Sequence, residues 1–85
     1  MALKNDLVVA LSKDIDYLSK EDLAASVNIV IDYLKDQLVK GNRIEIRGFG
    51  SFSIRKRKKV GSSEVSYNTV YFRMAKNVAE KLNKL

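Results

Sequence analysis

The 85-residue chain contains no cysteine, no histidine and no proline. Without cysteine it forms no disulfide, and without cysteine and histidine it lacks the usual zinc ligands, so we expect neither a metal nor another cofactor. It also has no phosphate-binding glycine loop and no GxSxG motif. A chain this short has little material for a cleft that tunes a catalytic acid or base. We therefore predict that the protein is not an enzyme.

Long apolar runs are absent as well. No run approaches the ~20 residues that cross a bilayer. The N-terminal stretch "MALKNDLVVAL" carries an acidic residue, Asp6, and has no small-residue cleavage pattern typical of a signal peptide. These features predict a soluble, cytoplasmic protein that does not insert into a membrane.

Basic residues are in excess over acidic ones. The chain has 16 Lys and Arg against 10 Asp and Glu, a formal net charge of +6, and its pI is about 9.7. This balance suits an acidic partner such as nucleic acid or an anionic surface. Residues 55–59 are all basic, whereas the N-terminal part mixes both signs.

The length predicts one domain, residues 1–85, with a marginal core. A domain of this size buries only about 60–65% of its unfolded surface. Because no disulfide or metal compensates, we expect a second copy of the chain to complete the core.

Two helices are predicted in the first half of the chain, residues 1–41. The first runs from Asn5, a plausible N-cap, to about Lys13. The second begins after the N-cap Ser19, repeats apolar residues at helical spacing as far as Leu38, and ends at Gly41, a C′ glycine.

Strands and a last helix are predicted in the second half. Ile44 and Ile46 alternate with polar residues, and the glycines of "GFGSF" suit a tight reversal whose dihedrals only glycine tolerates. A basic strand follows, residues 64–72 read as its return strand, and residues 75–85 as an amphipathic helix. The predicted order is α-α-β-β-β-α, an α+β fold, with the sheet and a β-arm in residues 43–72.

The basic run at residues 55–59 cannot belong to a half-buried strand. Each unpaired buried cation would cost several kcal/mol, and Glu64 is the only carboxylate between residues 46 and 79. This section must therefore stand in water, where a lone two-stranded ribbon is marginal. A solvated edge that discourages aggregation explains one or two lysines but not five cations. Phosphate binding explains all five, and a β-ribbon fits a DNA groove.

Base reading would require other residues, because phosphate contacts carry no sequence information. Arg43 and Arg47, at the base of the ribbon, are candidates, although periodicity alone favours a cross-strand pair with Glu45 or a solvated site for Arg47. The rings of Phe49, Phe52 and Phe72 could stack on bases, but their positions favour core packing. Tyr67 and Tyr71 are ambiguous.

The order of elements and the stretch "GNRIEIRGFGSFSIR" resemble the bacterial HU/IHF family of DNA-bending proteins. The resemblance covers nearly the whole chain, and residues 41–54 look most like the β subunit of integration host factor. The final segment, "FRMAKNVAEKLN", resembles the family's F-[KR]-P-G-K-x-L-R-x-x-x-N more loosely. The family resemblance implies an intertwined dimer whose saddle-shaped sheets and two β-arms embrace DNA through the minor groove.

The resemblance also implies roles for individual residues. Lys4 and Lys76 match basic residues that contact DNA on the body, and Glu45 and Arg47 match a pair that helps to read an A/T-rich minor-groove step. The expected DNA-binding residues are Lys4, Arg43, Glu45, Arg47, Arg55, Lys56, Arg57, Lys58, Lys59, Arg73 and Lys76. The expected dimer core comprises Leu34, Leu38, Phe49, Phe52 and Phe72.

The arm departs from the family pattern. The family's arm ends in a G-R-N-P motif whose proline wedges between base pairs, whereas this arm is several residues shorter and has no proline. Because such wedges trade unstacking for a sharp bend, we expect weaker kinking, with Val60 as a candidate substitute wedge. The family's P-G dipeptide is replaced by Met74-Ala75, which removes a favourable first helical residue.

The prediction is an architectural nucleoid protein of the cytoplasm. It binds duplex DNA with low specificity as a homodimer, or as a heterodimer with a paralogue. One alternative is a binder of single-stranded DNA or RNA that stacks bases on Tyr67, Tyr71 and Phe52. Another is an interaction protein that docks an acidic protein or an anionic membrane.

Overall fold

The computed structural model describes residues 1–58, 60–61 and 65–85. Along the chain the elements are α1 (Lys4–Asp14), α2 (Lys20–Val39), β1 (Ile44–Ile46), β2 (Gly50–Lys58), β3 (Ser66–Met74) and α3 (Lys76–Leu82). This order, and the antiparallel sheet β1-β2-β3, confirm the predicted α+β class. The chain forms two compact units, Met1–Leu34 and Lys35–Leu85, and α2 contributes residues to both.

The first unit has a small core between its helices. Val8, Leu23 and Val27 are buried, and partly buried apolar residues pack against them. Several large apolar side chains of the same unit remain exposed, among them Ile29 and Tyr33, which are 69% and 61% exposed. A core of this size supplies little burial energy, because stabilisation is proportional to the apolar area removed from water.

The helix ends show which capping predictions hold. Ser19 caps α2 through its Oγ, which accepts a hydrogen bond from the backbone N–H of Asp22 at 3.1 Å. Gly41 adopts a positive φ of 80°, and the N–H of Asn42 donates to the carbonyl of Gln37, the pattern of a Schellman motif. The prediction for Asn5 is wrong: α1 begins at Lys4 after the N-cap residue Leu3, whose N–H donates to the Asp6 carboxylate at 2.7 Å.

The strands differ in length from the sequence prediction. β1 has three residues, because Arg47 already lies in the turn that leads to β2. β3 begins at Ser66 and extends to Met74, two residues beyond the predicted end. α3 stops at Leu82 rather than Leu85, because the N–H groups of Lys84 and Leu85 bond three residues back and tighten the last turn.

The "GFG" turn is a reversal, as predicted, but its two glycines serve different purposes. Gly48 has a positive φ of 82°, and the N–H of Phe49 closes the turn on the carbonyl of Ile46 at 2.9 Å. Gly50 does not have a positive φ. It is buried, and a Cβ atom there would lie 2.6 Å from both the Phe72 ring and the Arg73 carbonyl oxygen. Gly50 is therefore required for space and not for its dihedral angles.

Candidate nucleic-acid interface

Beyond Phe52 the sheet narrows to a two-stranded ribbon. β1 pairs with β2 only from Ile44↔Phe52 to Ile46↔Gly50, whereas β2 and β3 remain paired as far as Lys58↔Ser66. We call residues 53–58 and 66–71 the ribbon. Its basic residues Arg55, Lys56, Arg57 and Lys58 are all exposed, and the ribbon contains no acidic residue. The prediction that the strand leaves the core at this point is confirmed. Lys59 lies outside the described residues, as does Glu64.

A second group of cations lies where the β1–β2 turn faces the start of α3. These residues line an open groove of about 450 Å³. Four of its lining residues are the predicted DNA-binding cations Arg43, Arg47, Arg73 and Lys76, and Glu45 is the one carboxylate among the lining residues. The structure thus brings together five of the predicted site residues.

Two hydrogen bonds join the start of α3 to the β1–β2 turn beside this groove. The N–H of Ala75 donates to the carbonyl of Phe49 at 2.9 Å, and Nδ2 of Asn77 donates to the carbonyl of Gly48 at 3.2 Å. Since Lys76 lies between these two donors, its side chain starts from a fixed backbone position. The sequence contained no signal for the role of Asn77, because the contact joins residues 29 positions apart.

Glu45 belongs to a polar row that crosses the sheet. It lies opposite Ser51, which lies opposite Arg73, and residues opposite each other point to the same face. The expected alternative for Arg47, a pair with Glu45, does not form: within the described residues the only ion pair joins Lys40 to Asp36. Arg47 is exposed and is free to contact a ligand.

Lys4, the remaining predicted cation, belongs to the first unit. Its Nζ donates a 2.7 Å hydrogen bond to Oδ1 of Asn28 on α2. Asn28 is neutral, so the charge of Lys4 remains available to a phosphate.

The aromatic residues divide by sheet face. The ring of Phe72 lies 4.8 Å from that of Phe52 and 5.5 Å from that of Phe49, so the three rings form one cluster. Phe52 and Phe72 are half-buried, whereas Phe49 is still 46% exposed. On the other face, the guanidinium carbon of Arg55 lies 3.5 Å above the centre of the Tyr71 ring. This last contact was missed from the sequence, because it depends on the register of two strands.

The two units differ in charge. Residues 1–34 contain three basic and six acidic residues, a formal charge of −3. Residues 35–85 contain thirteen basic and four acidic residues, a formal charge of +9. The positive charge of the chain therefore belongs to the unit that carries the ribbon and the groove. Within the described part of the chain, acidic residues form no cluster suited to a metal ion, and no helix has the length and apolarity to cross a membrane.

Residues 2–83 match the family model described as "Bacterial DNA-binding protein". The chain is 53% identical over 78 residues to the "DNA-binding protein HU-like" of Rickettsia rickettsii (strain Sheila Smith), covering 92% of this chain and 96% of that one. It is 35% identical over 91 positions to the integration host factor subunit beta of Tolumonas auensis, covering 96% and 98%. The second alignment is longer than the 85-residue chain, so this chain has gaps relative to that subunit.

Solved structures share the fold. One is Anabaena HU in a cocrystal with DNA, at a TM-score of 0.81 and 22% identity, covering 95% of this chain and 97% of that one. Another is a mutant HU from Thermotoga maritima, at a TM-score of 0.75 and 27% identity, covering 95% and 99%. Both matches cover nearly the whole chain.

Proposed function

The chain belongs to the HU/IHF family of bacterial DNA-binding proteins, and on this basis we propose that it is an architectural protein that binds duplex DNA. The observation that carries the proposal is the ribbon, with four exposed cations and no acidic residue among its described positions. A polyanion is the partner that compensates such a surface, and duplex DNA presents one charge per ~1.7 Å of its axis. Family membership favours the duplex over the single-stranded alternative.

The mechanism is phosphate neutralisation by the ribbon and the groove. Each neutralised phosphate releases condensed counterions, so affinity depends steeply on salt and little on sequence. The arginines also suit the minor groove, where a narrow A/T-rich stretch concentrates negative potential. We place Arg47 in that role, and Lys4 and Lys76 in contact with backbone phosphates.

The protein acts as a dimer. Three buried apolar residues make a small core for the first unit, and Ile29, Val30 and Tyr33 expose 58–69% of their surfaces on α2. A second copy of the chain would cover apolar surface of this kind. In this proposal Leu34 and Leu38, both half-buried, complete the dimer core together with the three phenylalanines.

The shortened arm determines how sharply the bound DNA bends. We expect firm binding to DNA but weaker kinking, because the arm lacks the proline that the family inserts between base pairs. This role is structural and not catalytic. Its place is the nucleoid, in the bacterial cytoplasm.

A salt titration of binding tests this function. Log affinity for a duplex should fall linearly with log salt, with a slope of about −0.9 for each neutralised phosphate. Binding to the matching single strand should be weaker at every salt concentration. A preference for the single strand would support the stacking alternative, and binding to anionic vesicles without binding to DNA would support the membrane alternative.

A further inference from the structure

The ribbon separates its two kinds of cation onto opposite faces. Side chains alternate along a strand, and directly paired residues share a face. The register pairs Arg55 with Thr69 and Arg57 with Tyr67, and it pairs Lys56 with Asn68 and Lys58 with Ser66. We call the face that carries Arg55 and Arg57 the arginine face, and it also includes Tyr71. The lysines occupy the other face.

One contact on the arginine face fixes the orientation of a cation. The guanidinium carbon of Arg55 lies 3.5 Å from the centre of the Tyr71 ring, well inside the ~6 Å range of a cation–π contact. The two residues are diagonal neighbours, since Tyr71 pairs with Ser53 and Arg55 with Thr69. Stacking occupies one face of the planar guanidinium and leaves its N–H donors, which lie in the plane, available to a ligand.

The ring that holds Arg55 is itself well anchored. Tyr71 is half-buried, and the next residue, Phe72, packs against Phe52 on the opposite side of the sheet at 4.8 Å. The contact therefore lies at the root of the ribbon, just beyond the point where the pairing of β1 with β2 ends. Among the described ribbon cations, Arg55 is the only one placed over an aromatic ring.

We propose that Tyr71 is a positioning residue for DNA binding, which holds the Arg55 guanidinium on the arginine face before the duplex arrives. The inference rests on the proposed function and assigns a role within it. Arginine has a long side chain with large rotamer entropy, and a stacked guanidinium loses less of it on binding. A preorganised arginine at the root partly compensates for a ribbon that is short. This positioning role also predicts that the arginine face turns toward the floor of the DNA groove.

A purely structural role for Tyr71 predicts different behaviour. If the ring only stabilised the sheet, its loss would lower thermal stability, and the effect on binding would not depend on whether Arg55 is present. If the ring positions Arg55, its effect on binding disappears once Arg55 is removed. A double-mutant cycle separates these two cases.

The test measures fluorescence anisotropy of an A/T-rich labelled duplex with the full-length protein. Tyr71→Leu should weaken affinity for the duplex about two- to fivefold, which is the change in affinity that corresponds to the energy of an exposed cation–π contact. The salt slope should stay unchanged, because no charge is lost. Tyr71→Phe should restore wild-type affinity, since it keeps the ring. In an Arg55→Ala background, Tyr71→Leu should have no further effect. The control is Tyr17→Leu, at an exposed tyrosine outside the ribbon and the groove, which should bind like the wild type.

Three results would overturn the inference: an unchanged affinity in Tyr71→Leu, a failure of Tyr71→Phe to restore binding, or additive losses in the double mutant. If Tyr71→Leu does not fold, Arg55→Lys and Arg57→Lys decide the matter, because a lysine keeps the charge but lacks the planar group. A loss confined to Arg55→Lys supports the inference, and equal effects contradict it. If the wild type binds no duplex at low salt, the proposed function itself fails, whatever the variants do.

Discussion

The ring of Phe72 lies so close to Gly50 that a Cβ atom on Gly50 would come within 2.6 Å of the ring atom Cζ. The same Cβ would lie 2.6 Å from the backbone oxygen of Arg73, and backbone cannot move aside as a side-chain tip can. The close approach of β2 and β3 at the start of β2 therefore depends on the absence of a side chain at this position.

Replacement of Gly50 by alanine should destabilise the protein by roughly 1–3 kcal/mol, the usual cost of overpacking. Thermal unfolding should show a lower Tm. Gly61→Asn is the control, because Gly61 has a positive φ of 83° that asparagine tolerates, and open space around it. An equal Tm for Gly50→Ala and wild type would mean that the strands separate at little cost.

Arg47→Ala should reduce discrimination between A/T-rich and G/C-rich duplexes. Arg47 is exposed in the groove and has no ion-pair partner among the described residues, so its guanidinium is available to the minor groove. We expect the ratio of the two affinities to fall about fivefold, near the lower end of the ~1–3 kcal/mol that a good base contact contributes. The control is Lys76→Ala, which should weaken binding to both duplexes equally. An unchanged ratio in Arg47→Ala would leave Arg47 without a role in reading the sequence.

Ile29→Asp should disrupt the dimer. Ile29 is 69% exposed on α2, and a carboxylate buried there in a dimer would cost several kcal/mol. Analytical ultracentrifugation should show monomers, together with a loss of cooperative unfolding. Lys35→Asp places a carboxylate on the same helix at an exposed polar position and should leave the dimer intact. A stable dimer of Ile29→Asp would place the interface elsewhere.

Val60→Ala tests the substitute wedge. Val60 is 98% exposed near the end of the ribbon, and a wedge acts by inserting between base steps. Energy transfer between dyes at the two ends of a duplex should report a smaller bend for the variant, at an unchanged salt slope. Val39→Ala, at another exposed valine, is the control. Equal energy transfer in Val60→Ala and wild type would exclude the wedge.

The sequence predicted features that depend on local chemistry. The cap at Ser19, the C′ glycine at Gly41 and the exit of the basic strand from the core follow from hydrogen-bonding capacity and the cost of burying charge, and the structure has all three. The error at Asn5 has a local cause too, since Asp6 bonds the N–H of Leu3 and starts the helix earlier.

Features that depend on register or on distant contacts were not predictable. The reason for Gly50 lies on another strand, in Phe72 and Arg73. The stack of Arg55 on Tyr71 and the tie of Asn77 to Gly48 join residues that only the folded sheet brings together. The grouping of Arg43, Arg47, Arg73 and Lys76 in one groove was not predicted either, although all four are expected DNA-binding residues.

The ribbon is the central element of the proposed function, and a salt titration counts how many of its cations neutralise DNA phosphates. The measurement is the slope of log affinity against log salt, on one duplex, for the wild type and for the triple variant Arg55→Ala, Arg57→Ala and Lys58→Ala. Because a dimer carries two ribbons, the variant lacks six cations. If each of them neutralises one phosphate, the variant's slope should be shallower by about 5.4, six times the ~0.9 expected for each. A control that removes three cations outside the ribbon, Lys13, Lys35 and Lys84, should keep the wild-type slope. Equal slopes for the wild type and the ribbon variant would contradict DNA binding by the ribbon.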